Sequence, residues 1–185
     1  MQIRLNLLNI FVVIALSIGS TSVFAQKGSF LSIEEFHELA FPGQPIEWQT
    51  LWVNQEMRAD IEAIIDRKLS SLRLRYWGDG ERTAWILEEI GKELPITVGV
   101  IVNAGKIEQV QIMEYRESRG GEIRYPFFTS QFINAQLFSE KGNWRLNQNI
   151  DGITGATLSV RALKKITAMA LYCHQQTEFS QLASE

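Results

Sequence analysis

The sequence is poor in the residues that build metal centres and covalent cross-links. Its 185 residues hold one cysteine, Cys173, and two histidines, His37 and His174, far apart in the chain. Exported domains that lean on disulfides carry cysteines in even numbers, so this fold stands on its core alone. No Cys/His cluster has metal-ligand spacing, and no metal site is expected. Basic charge is also scarce: 18 Lys and Arg stand against 21 Asp and Glu, a net charge of −3. Without a basic stripe or a dense basic run, nucleic acid is not expected as a partner. Nor does any apolar run reach the roughly 20 residues of a comfortable membrane span.

The longest apolar run lies near the N-terminus. A single basic residue, Arg4, precedes Ile10 to Ile18, and Gly19-Ser-Thr-Ser22 and Val23-Phe24-Ala25 follow. That order matches the charged region, apolar region and small-residue cleavage site of a secretory leader. Residues 1–25 are therefore expected to be removed, with an uncleaved anchor as the alternative, and the mature chain should begin at Gln26 in the periplasm. No cysteine near the cleavage site suggests a lipoprotein. Without Arg4 the charge becomes −4, from 17 basic against 21 acidic residues. The remaining chain suffices for one domain with its own core.

Periodicity predicts an α+β fold, an antiparallel sheet flanked by helices, preceded by a short helical segment over 26–70. Ser32-Ile-Glu-Glu35 has the form of a capping box, with Leu31 and Phe36 as its staple, opening a helix that stops before Pro42-Gly43. A second helix is predicted from Gln55 to Leu69, with Met57, Ile61, Ile64, Ile65 and Leu69 on one face. Alternation then predicts strands over Leu72–Trp77, ended by Gly78-Asp79-Gly80, and over Thr83–Glu88. Ile96–Val102 and Lys106–Tyr115 form a hairpin around Asn103-Ala-Gly105. A short helix is expected from Thr129 to Leu137 and a loop from Glu140 to Ile150. The last helix runs from Leu158 to His174, with Val160, Leu163, Ile166, Ala170 and Leu171 as its apolar stripe. The domain proper is placed at 71–176 and a tail at 177–185.

Chemistry concentrates just before that helix, in Asp151-Gly-Ile-Thr-Gly-Ala-Thr157. Asp151, Thr154 and Thr157 are each candidate N-caps, so the plain reading is a polar loop entering a helix. Gly152 and Gly155 let the backbone approach a ligand closely, and Ala156 adds no bulk beside Thr157. Free N–H groups and the dipole at a helix N-terminus favour an anion such as phosphate. The residues thus suggest a phosphate site with a hydroxyl inside it.

This seven-residue pattern ahead of an amphipathic helix closely resembles the flavinylation motif of the FMN-binding domain family. The family includes the C subunit of the sodium-translocating NADH:quinone reductase and the G subunit of the Rnf complex. Two upstream segments support the resemblance: Asn103-Ala-Gly-Lys-Ile107 at the hairpin, and Glu117-Ser118-Arg119-Gly120, where the family has Glu-Thr-x-Gly. Ser118 replaces the usual threonine and keeps its hydroxyl; Arg119 stands where proline is common. The resemblance covers about Arg75 to His174. It implies that a flavin transferase couples FMN covalently to Thr157, that Thr154, Gly155 and Ala156 shape the loop, and that Asp151 and Gly152 complete what the transferase reads. Glu117 and Ser118 are implied flavin contacts.

Beyond the motif, Arg161 is a candidate to screen the phosphate or a plain surface arginine. Trp77, Trp85, Trp144, Phe127 and Phe128 are core residues first and ring-stacking candidates second. Cys173 reads as a buried small hydrophobe, and His37 and His174 as helix-surface or core-edge residues. No catalytic residue is assigned. The expected role is an electron relay whose redox partner is membrane-bound or a cytochrome. The alternatives are a small flavin reductase with a soluble acceptor, or an exported binding module with no flavin.

Overall fold

The computed structural model describes residues 28–140 and 142–180. The expected leader, and the tail beyond Ser180, lie outside the described residues. Six strands form one antiparallel sheet: β1 (Gly28–Ser29), β2 (Gln49–Trp52), β3 (Arg73–Asp79), β4 (Arg82–Ile90), β5 (Pro95–Asn103) and β6 (Lys106–Tyr115), in the order β1-β6-β5-β4-β3-β2. The β5–β6 turn places Ala104 and Gly105 at φ 46° and 72°, the two left-handed residues of a tight hairpin whose twist suits the strands. The α+β arrangement expected from periodicity is thus present. The 26–70 segment contains its two helices and, in addition, the edge strands β1 and β2, which are too short to show alternation.

Helix α1 (Ile33–Ala40) opens with the expected capping box: Ser32 Oγ accepts from Glu35 N at 3.1 Å, and Glu35 Oε2 accepts from Ser32 N at 2.7 Å. Its buried residues Phe36 and Ala40 cover one face of the sheet with Trp77, Ala84, Ile101 and Met113, and Leu31 packs beside them. The approach depends on Gly99, where a Cβ would lie 2.4 Å from the Phe36 ring. Helix α2 (Gln55–Ile65) is shorter than predicted. Asp66 turns left-handed at φ 55° and ends it. Glu62 then accepts from Arg58 Nε, Lys68 Nζ and Leu69 N, fastening the exit.

The region after β6 departs from the sequence reading. Helix α3 is only Pro126–Thr129, continued by a 3-10 turn over Ser130–Phe132, rather than a helix from Thr129 to Leu137. Asn134 stands at φ 65°, and Asn134 N and Ala135 O are bonded to Ile107 instead, which no helix allows. The expected loop at 140–150 contains the strand β8 (Asn143–Leu146), which pairs across a turn at Gly142 with β7 (Leu137–Glu140) just before it. Helix α4 (Thr157–Gln175) covers the other sheet face. Its predicted stripe is buried with α2, Tyr76, Trp85 and the inward residues of β5 and β6 in the main core. Cys173 is fully buried in this core, and burial pushes its thiol far above the ordinary range.

His37 and His174 are both buried rather than set at helix surfaces. His174 Nδ1 lies 2.9 Å from Thr83 Oγ1, which also accepts from Trp85 Nε1, while Nε2 has no partner. Burial pulls this imidazole down to about 4. Among the described residues, no helix is long and apolar enough to cross a membrane, and no group of His, Cys, Asp and Glu is arranged to hold a metal.

Candidate functional site

Helix α4 begins at Thr157 itself, and its N-cap is Ala156, which has no side-chain acceptor. None of the three expected caps fills the role. Asp151 lies in the approach loop, its N–H donating to Gln131 Oε1 at 2.7 Å, and Gly152 and Thr154 are exposed there. Gly155 at φ 84° turns the chain, Ala156 is buried, and the Thr157 hydroxyl is left in solvent at the first helical position. The first-turn N–H groups, which have no intrahelical partner, are left without a side-chain cap.

The segment after β6 faces this terminus. Tyr115, fully buried at the end of β6, donates its hydroxyl proton to Arg119 O, and its oxygen lies 3.0 Å from Ser159 Oγ in the first turn of α4. Burial pushes the Tyr115 phenol up, so it remains a donor. Gly120, at φ 83°, packs against the same place. Two distant segments, 117–120 and 155–159, are thereby joined.

Glu117 is buried, and its Oε1 accepts from three successive N–H groups, those of Lys92 and Glu93 at 2.6 Å and of Leu94 at 2.9 Å. Burial alone would raise its carboxyl; these three bonds and the Lys92 charge outweigh it and hold the group below the usual carboxylate range. Glu117 therefore holds the β4–β5 turn in place, and that turn carries Lys92.

Between these walls lies a cavity of about 580 Å³, lined by Lys92, Glu117, Ser118, Arg119 and residues 155–159. That volume is ordinary for a small-molecule or cofactor site. Of the predicted residues, Glu117, Ser118, Gly155, Ala156 and Thr157 meet here, while Asp151, Gly152 and Thr154 do not line the cavity. Lys92, Tyr115 and Ser159 escaped the sequence reading; a serine within the apolar stripe of α4 was the one available signal. Arg161 is exposed and off the cavity wall. The five aromatic candidates also stay away: Trp85 stacks on Tyr76, Trp77 on Trp48, and Trp144 meets Tyr172 edge-on. Phe128 is in the core and Phe127 is exposed.

An uncapped helix terminus, an exposed hydroxyl at its first residue and two cations lining the same cavity form, within an α+β domain, an arrangement that favours a phosphate-bearing group. Residues 91–172 match the model of the FMN-binding domain, which spans every residue lining the cavity. Over these residues the chain carries an FMN-binding domain, a similarity that covers less than half of its length and supports flavin binding. No curated protein matches the chain in sequence.

Proposed function

We propose that this protein is an exported periplasmic flavoprotein that carries FMN by a phosphoester to Thr157 and relays electrons between other redox proteins. The exposed Thr157 hydroxyl, at an uncapped helix N-terminus on the wall of the cavity, carries the reading. The donor set fits the group. First-turn N–H groups and the helix dipole suit a phosphate, Lys92 and Arg119 add positive charge, and an added Cβ at Gly155 would meet nothing within 4 Å. A covalent link suits an exported protein, since cofactor lost outside the cytoplasm is not readily replaced. When bound, FMN supplies one- and two-electron transfer.

The cavity favours a carrier over a self-contained reductase. It holds no histidine, and its one carboxyl, Glu117, is kept ionised by three N–H groups, which makes it a poor proton donor. Maturation would need a flavin transferase, and turnover a redox partner, membrane-bound or a cytochrome.

The test is co-expression of the full chain with a flavin transferase, followed by a denaturing gel under ultraviolet light. A fluorescent band for the wild type and none for Thr157→Ala supports the attachment. A dark wild-type band, with no added FMN in its mass, overturns it.

A further inference from the structure

We propose that Arg119 makes the cavity selective for a phosphorylated flavin, its guanidinium holding the phosphate that is joined to Thr157. The inference rests on the reading of this cavity as a flavin site, and it names the side chain that recognises the ligand's anionic end.

The cavity has few polar side chains, and most are already committed. Glu117 is an acceptor occupied by the N–H groups of Lys92, Glu93 and Leu94. Lys92 Nζ lies 3.1 Å from Glu93 Oε1, so its ammonium contributes charge to the cavity while paired with a neighbour. Ser159 is settled by counting hydrogens. The Tyr115 hydroxyl hydrogen goes to Arg119 O, and a carbonyl can only accept, so Ser159 donates its own hydrogen to the Tyr115 oxygen. Ser159 thus offers the cavity an acceptor, which an ionised phosphate cannot use. The hydroxyls of Ser118 and Thr157 and the guanidinium of Arg119 remain as donors, and the Thr157 hydroxyl is the group to be joined. Among the described residues, the Arg119 guanidinium has no hydrogen-bond or ion-pair partner.

Arginine suits the role on chemical grounds. Its guanidinium is permanently charged and presents paired N–H donors in one plane, which match two oxygens of a phosphate. A serine hydroxyl offers neither property. The uncapped N–H groups in the first turn of α4 supply further donors to the same anion. The root of the arginine is fixed as well: Tyr115 holds Arg119 O, and Gly120, at φ 83°, packs against Ala156 and Ser159. Arg119 is therefore exposed yet anchored to α4, and its backbone loses less freedom on binding than a loose loop would. A flavin without phosphate gives this guanidinium no anion to hold.

The test is fluorescence titration with FMN and with riboflavin, using the full chain produced without a flavin transferase so that Thr157 is unmodified. The wild type should bind FMN about tenfold more tightly than riboflavin, the worth of one charge-assisted contact. Arg119→Gln should remove that preference, weakening FMN about tenfold while leaving riboflavin unchanged. Arg119→Lys keeps the charge, loses the planar fork and should restore part of it. Equal affinity for the two flavins in the wild type overturns the proposal, as does a preference for FMN that survives Arg119→Gln. Equal weakening of both flavins by Arg119→Gln overturns it too, because the residue would then shape the cavity rather than read the phosphate. Binding of neither flavin also overturns it. The gel of the co-expressed chain separates this failure from that of the flavin site itself. A dark band together with no binding in the titration removes both readings, whereas a fluorescent band beside an unchanged FMN preference in Arg119→Gln removes only the role of Arg119.

Discussion

Gly120 and Ala156 approach so closely that a Cβ on the glycine would lie 3.1 Å from the alanine Cβ, and 2.9 Å from the Tyr115 hydroxyl. This contact joins the segment after β6 to the loop that presents Thr157. Gly120 also stands at φ 83°, where any side chain is strained. Gly120→Ala should cost about 2–4 kcal/mol, from backbone strain and the steric clash together. Urea unfolding measures the loss, and reduced flavin incorporation should accompany it because the cavity wall separates from α4.

Thr157 contributes nothing to the core, being exposed at the first position of α4. Thr157→Ala should therefore leave the melting temperature within about 2 °C of wild type, in keeping with the small effect of surface changes, while abolishing covalent flavin. Thr157→Ser keeps the hydroxyl and should retain the fluorescent band.

Glu117 binds three N–H groups through one oxygen. Glu117→Gln keeps an acceptor but loses the charge, and should cost about 1–3 kcal/mol. Because the folded carboxyl lies below its ordinary 4.5, its stabilisation is complete above pH 4.5 and is lost as pH falls through the lower, folded value. Acid unfolding curves of wild type and variant should converge below that range.

His174 acts in the adjoining window with the sign worked through the unfolded chain. Its imidazole protonates near 6.5 when exposed but only near 4 in the fold, so the unfolded state gains the proton first. Stability is complete above pH 6.5 and declines as pH falls towards 4, by about 3 kcal/mol in all. His174→Gln should flatten the dependence between pH 4 and 6.5 in denaturant titrations. An unchanged slope would assign the acid sensitivity elsewhere.

Elements with a strong local signature were legible in the sequence. The capping box of α1, the β5–β6 hairpin and the stripe of α4 are set by neighbours three or four residues away or by two-residue alternation. The misplaced elements lacked such a signal. Residues 129–137 contain helix-compatible spacing, but bonds from Asn134 and Ala135 to Ile107 divert that stretch towards β6. The β7–β8 hairpin is too short for alternation to show, and β1 and β2 gain their strand character only from the partners they meet.

The same division holds at the site. The sequence by itself determined the glycine-rich loop, the hydroxyl at Thr157 and the likeness to the FMN-binding domain, because glycine, alanine and threonine ahead of a helix act through local backbone geometry. Tertiary structure alone decided that Lys92 and Arg119 line one cavity with Thr157, that Glu117 is spent on holding a turn, and that Tyr115 and Ser159 bridge the two segments. Those relations depend on strand pairing and helix packing between residues distant in the chain, and spacing along the chain carries no record of them.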